Sequence, residues 1–86
     1  MALGASGRVS RIFPHEELTY ISLEGLDPGV TPKDGYFLLR KNHPNYNALY
    51  SLTLVAAVNR YVLHIRTWAE ITNQEYGEVA YMVVDW

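Results

Sequence analysis

Three histidines, His15, His43 and His64, have the widest chemical reach in this chain, followed by Ser10, Ser22, Ser51 and the adjacent carboxylates Glu16 and Glu17. Zinc sites draw on Cys, His and carboxylates at short local spacings. The histidines fall instead on a turn, a helix start and a strand, and cysteine is absent. Nucleophilic hydrolysis needs a nucleophile, a base and a group that orients the base. None of the three serines sits in a nucleophile elbow, and Ser51 falls in mid-helix. Glu16 and Glu17 share a turn, where carboxylates are solvated rather than paired for acid–base work. We therefore expect no catalytic residue, no metal and no cofactor.

The aromatic residues offer different chemistry. Tyr20, Tyr36, Tyr46, Tyr50, Tyr61, Tyr76, Tyr81, Trp68 and Trp86 are many for 86 residues. Sugars bind by stacking an apolar face on an aromatic ring while Asn, Asp and Glu read their hydroxyls. Tyr46, Tyr50 and Tyr81 are expected to pack in the core or at a subunit interface. Trp68, Asn73, Gln74 and Tyr76 fall at or beside one loop and are the candidate ligand-binding residues. A single-stranded nucleic acid would instead need aromatic platforms in a basic groove, with Tyr20 and Tyr36 as platforms and Arg8, Arg11, Arg40 and Arg66 as cations. The net charge of −2 and a pI near 5.8 disfavour that reading, because phosphate neutralisation supplies much of such affinity.

These residues must be positioned by a small set of elements. The alternation of Arg8 to Phe13, ended by Pro14, predicts a strand; Val9, Arg11 and Phe13 are placed on one side. Leu18 to Glu24 predicts a second, with Thr19, Ile21 and Leu23 opposite Tyr20 and Ser22. Gly25 to Gly35 is dense in turn formers and predicts an exposed loop, and Tyr36 to Lys41 a third strand. Asn45 to Arg60 predicts a helix, opened by an Asn cap or by Pro44 in the first turn. Tyr61 to Trp68 is the fourth strand, with Leu63, Ile65 and Thr67 facing one way. Ala69 to Gly77 reads as a polar loop, and Glu78 to Trp86 as a last strand apolar on both faces.

The helix stands out because it has almost no polar face. At 100° per residue, apolar side chains surround it, yet a small domain covers only about half of such a surface. The remainder, Leu54, Val55 and Val58 with Ser51 and Asn47, is expected to face another copy of the chain. Composition agrees: 49% of the residues are hydrophobic and only 19% charged, a high apolar share for a domain of this size.

The chain is expected to form one domain over residues 8–86, with residues 1–7 a flexible lead. MALGASG lacks the charged and apolar regions of a signal peptide, and no apolar run approaches the roughly 18 residues that cross a bilayer. Compartment is not legible. The order β-β-β-α-β-β is that of the OB-fold, a five-stranded Greek-key barrel with a helix between strands three and four.

On these residues the chain resembles the receptor-binding B subunits of bacterial toxins, with the Shiga and subtilase toxin subunits nearest in pattern. The likeness runs from Gly7-Arg8-Val9 and Leu18-Thr19-Tyr20-Ile21 to Glu78-Val79. It is densest from Asn45 to Thr67, through Leu49, Ser51, Leu52, Leu54, Ala56, Val58 and Ile65-Arg66-Thr67. The resemblance implies a non-catalytic homopentameric ring with helices lining its centre, a glycan or protein ligand, an enzymatic partner subunit, and a secreted or periplasmic location. Two features depart from it: the toxin subunits carry a disulfide where this chain has no cysteine, and the loop from Gly25 to Gly35 is longer than in the Shiga subunit.

Overall fold

A computed structural model describes residues 2–86. The fold is mainly β with one helix. Six strands, β1 (Gly4–Gly7), β2 (Val9–Pro14), β3 (Leu18–Leu23), β4 (Tyr36–Arg40), β5 (Leu63–Thr67) and β6 (Gly77–Val83), and one helix, α1 (Tyr46–Asn59), follow in chain order. The strands form one mixed sheet in the order β1-β5-β6-β4-β3-β2. The sheet is open: β1 and β2 are its two edges, although only Arg8 separates them in sequence.

The extra strand comes from the segment read as a lead. Gly4 to Gly7 pair antiparallel with Arg66 to Leu63, and the amides of Thr67 and Ile71 donate to the carbonyls of Leu3 and Ala2. The domain boundary at residue 8 therefore moves toward the N-terminus. GASG gave no strand signal because it has no large side chain to alternate.

Two bulges change the phase of the strands. In β2, Val9 pairs with Leu23 but Arg11 with Ser22, leaving Ser10 extra. Val9 and Ile12 thus pack inward while Arg11 and Phe13 are exposed, which corrects the strict alternation expected there. In β6, Thr67 opposes Val79 and Arg66 opposes Tyr81, so Ala80 is extra. Val79 and Met82 enter the core, and Tyr81 and Val83 face solvent. In β3 and β5 the expected alternation holds, with Thr19, Ile21, Leu23, Leu63, Ile65 and Thr67 all buried.

Helix α1 packs on this core through Leu49, Thr53 and Ala56, a spacing of one helical stripe. Thr53 has no unmet polar group, since its hydroxyl donates 2.8 Å to the Leu49 carbonyl and lies 3.3 Å from Met82 Sδ. The helix ends at Arg60, whose φ of 58° is left-handed, a conformation that costs a non-glycine residue about 1 kcal/mol. Its side chain compensates by reaching both Glu24 carboxylate oxygens at 2.9 and 2.7 Å and the Val9 carbonyl at 3.3 Å.

The two loops are less free than their composition suggests. Gly25 to Gly35 contains two 3-10 turns, Pro28–Val30 and Lys33–Gly35, with Pro32 buried and Leu26 and Val30 packed on the core. Ile71 buries itself from within the loop read as polar. The two loops meet where the Lys33 amide donates to the Glu75 carbonyl at 2.9 Å.

Gly77 is required where β6 passes β4. A Cβ there would lie 2.8 Å and 3.1 Å from ring carbons of Phe37, which is wholly buried. Gly77→Ala should destabilise the fold by about 1–3 kcal/mol through overpacking, read as a lowered urea midpoint. An unchanged midpoint would show that Phe37 can move aside.

Candidate functional site

Two surfaces carry the functional residues expected from sequence. The first is the outer face of α1. The helix contains no charged residue, and its buried stripe leaves Asn47, Ser51, Leu54, Val55 and Val58 exposed together on the side away from the core. Val58 is 81% exposed. A monomeric helix usually places charge on its solvent face; this one places valine and leucine there.

The second surface lies around the β5–β6 loop. Tyr76 stands between two clefts. One, of about 190 Å³, is lined by Trp68, Glu70, Glu75, Tyr76 and Glu78. The other, of about 350 Å³, is lined by Lys33, Leu38, Arg40, Gln74, Tyr76 and Glu78. Of the four candidate ligand residues, Trp68 and Tyr76 share the first cleft, and Gln74 and Tyr76 the second. Asn73 is exposed in the same loop and lines neither. Trp68 is 69% exposed and lies against the His43 ring at 6.3 Å. His43 is fixed in turn by the Ala80 carbonyl, 2.9 Å from Nε2, and the Asn45 amide, which donates to Nδ1 at 3.0 Å. That histidine, expected as a turn or cap residue, holds the helix start against the β6 bulge and backs Trp68.

Tyr76 is held from below by an aromatic cluster. Tyr20 stacks on Phe13 at 5.3 Å and meets Tyr36 and Tyr76 edge-on at 5.3 and 5.8 Å. Lys33 Nζ sits 5.1 Å from the Tyr76 ring centre, close enough for a cation–π contact, and Arg11 donates to the Tyr36 hydroxyl at 2.9 Å. Tyr20 and Tyr36 are therefore neighbours on the outer face of the sheet. Of the four arginines considered with them, Arg11 joins the pair through the Tyr36 hydroxyl, while Arg40 is engaged by Glu78. Arg66 lies on β5, and Arg8 donates to the Arg60 carbonyl at the helix end.

Arg40 and Glu78 join β4 to β6 through a bidentate pair, with Nε 2.6 Å from Oε1 and the second guanidinium nitrogen 3.2 Å from Oε2. The hydrogen bond from Arg40 pulls the Glu78 carboxyl below its ordinary value, against a partial desolvation that pushes it up. The same contact raises Arg40. Both clefts share Glu78, and Arg40 lines the second.

Sequence reasoning missed one cluster. The Ser6 hydroxyl lies 2.6 Å from His64 Nδ1, and Asp85 Oδ2 lies 3.9 Å from His64 Nε2. Ser6 escaped notice because it belongs to β1, whose strand character was invisible in GASG. No group of three or more His, Cys, Asp or Glu that could hold a metal occurs among the described residues. Nor is any helix among them long and apolar enough to cross a membrane.

A lowered carboxyl stabilises the fold above its unfolded value and loses that contribution as pH falls through the folded value. The Arg40–Glu78 contribution is thus present at pH 7 and lost in acid, below the usual carboxylate range. Both side chains are near half exposed, so the effect is worth only a few tenths of a kcal/mol. Urea midpoints at pH 7 and pH 3 should differ less in Glu78→Gln than in the wild-type chain; equal differences would show that the pair is solvated. In comparisons with known proteins, the chain matches no protein-family model, no curated protein and no solved structure.

Proposed function

We propose that this chain is a non-catalytic homo-oligomeric binding module, assembled through the outer face of α1 and binding a glycan or a protein surface at the clefts around Tyr76. The observation that carries this reading is the uncharged helix with Leu54, Val55 and Val58 exposed. Desolvating those side chains against a copy of the same helix recovers hydrophobic free energy that a monomer forgoes. Most homo-oligomers have closed symmetry, and a head-to-tail contact between neighbouring copies closes a ring. The number of copies follows the toxin-subunit resemblance, a ring of five.

The fold proposed with it is the OB barrel. In this reading β1 and β2, which Arg8 alone separates, are two halves of one bent first strand, which brings the strand count to five. Supporting this, the Glu24 amide donates 2.8 Å to the Arg8 carbonyl, carrying the β2–β3 pairing into the junction. α1 then lies between the third and fourth strands of the barrel.

The ligand surface combines exposed aromatic area with polar groups of both signs: Trp68 and Tyr76 with Gln74, Glu75, Glu78, Lys33 and Arg40. Polyhydroxylated ligands need this mixture of donors and acceptors, whereas a polyanion needs a net of cations. Single-stranded nucleic acid is the second reading, favoured by the Tyr20–Tyr36 contact beside Arg11. It is weakened by the pairing of Arg40 with Glu78 and the separate locations of Arg8 and Arg66.

Val58→Glu or Leu54→Glu should dissociate the assembly, because a buried unpaired carboxylate costs several kcal/mol. Sedimentation should show a monomer for either variant, and one that stays assembled would mean this face is not the interface. For the ligand, Trp68→Ala should weaken at least tenfold any glycan binding that engages the β5–β6 loop, and unchanged binding there would count against that loop. Binding to a labelled oligonucleotide that collapses as salt rises would favour the nucleic-acid reading instead.

A further inference from the structure

The β1–β5 pairing builds a third polar surface, on the side of the sheet facing away from the core. Along β5, Leu63, Ile65 and Thr67 point inward, which sends His64 and Arg66 outward. Ser6 lies directly opposite His64 in the register, and Gly4 opposite Arg66. A Cβ at Gly4 would touch Arg66 Cδ at 3.6 Å, so the arginine stem lies over the edge strand. The bulge at Ala80 brings Tyr81 opposite Arg66. Together with Val83 and Asp85 these residues line a groove of about 320 Å³, near the lower end of the usual range for small-ligand sites.

Ser6, His64 and Asp85 invite comparison with a hydrolytic triad, and the distances decide against it. Ser6 Oγ to His64 Nδ1, at 2.6 Å, is a hydrogen bond. His64 Nε2 to Asp85 Oδ2, at 3.9 Å, is not, since such bonds close to about 2.7–3.2 Å. Asp85 is largely solvated, its side chain 83% exposed, and does not hold the imidazole in one orientation. A single oxygen placed between Nε2 and Oδ2 can, however, bond to both. The 3.9 Å gap is too long for a direct hydrogen bond and short enough for one ligand hydroxyl beside it to reach both atoms.

We propose that this groove is a second ligand site, taking a neutral saccharide ring, which shares no lining residue with the Tyr76 clefts and is independent of them. Tyr81, 53% exposed, supplies the apolar plate on which the ring's C–H face stacks. His64 Nε2 and Asp85 bridge one hydroxyl, Ser6 fixes the imidazole, and the Arg66 guanidinium donates to a second hydroxyl or to the ring oxygen. Arg66 and Asp85 balance in charge, which favours a neutral sugar over a sugar acid or an amine.

Residue-resolved NMR tests this directly. The 15N-labelled chain would be titrated with methyl α-mannoside, methyl β-galactoside, methyl β-glucoside and N-acetylglucosamine. At least one should cause saturable amide shifts at Ser6, His64 to Arg66 and Tyr81 to Val83. Tyr81→Ala and Arg66→Ala, each with an otherwise unchanged spectrum, should weaken that binding at least tenfold. Shifts confined to Trp68 and Tyr76 would overturn this site while leaving the loop reading intact, and shifts in neither place would overturn this site and leave the loop to a protein ligand. Hydrolysis of p-nitrophenyl acetate that vanishes in Ser6→Ala would overturn it in favour of a catalytic serine.

Discussion

Two antiparallel halves of the sheet, β1-β5-β6 and β4-β3-β2, are joined by a parallel contact of only two residue pairs, Phe37 with Gly77 and Leu38 with Glu78. Everything else in the molecule depends on that junction. Phe37 is wholly buried there and lies against a residue without a side chain. Packing density in such cores leaves no slack for a methyl group. One residue further along, the junction leaves the core and reaches the candidate ligand surface. Glu78 pairs with Arg40 on the outer face, and the clefts around Tyr76 open on either side.

The same economy explains why the chain reads as unfinished when alone. Its core is built from one inward stripe of α1 and the inward residues of six short strands. A domain near this size covers only about 60% of its unfolded surface, and this one spends none of its charge on the helix. Charge goes instead to clasps between elements. Arg60 ties the helix end to Glu24 and β2, and Arg40 ties β4 to β6. The uncharged outer face of α1 is the surface that the proposed assembly would cover, and a second copy is the partner always present at the chain's own concentration.

What the sequence made legible followed from strong local patterns. The helix was expected over Asn45 to Arg60 and lies at Tyr46–Asn59, because the run after Pro44 is free of Gly and Pro and carries Ala48, Leu49, Leu52, Leu54, Ala56 and Ala57. The strand at Leu18 was legible because Thr19, Ile21 and Leu23 alternate without interruption. Where alternation is broken, legibility ended. Ser10 and Ala80 are bulge residues with no distinguishing chemistry, so Arg11, Phe13 and Tyr81 could not be assigned to the outer face. GASG carries no pattern at all, which hid β1 and with it the Ser6–His64 contact. Ile71 looked like loop because its neighbours are polar, and only the fold turns it inward. Trp68, Gln74 and Tyr76 were picked for their types, but Tyr76's contacts with Tyr20 and Lys33 join distant parts of the chain and have no local signature.

The central claim is that the outer face of α1 is covered by other copies of the chain. Light scattering on the wild-type protein at micromolar concentration tests it most directly. A mass several times the 9.8 kDa of one chain, near fivefold if the ring is pentameric, is the result expected. A mass of one chain, holding as concentration rises, would contradict it.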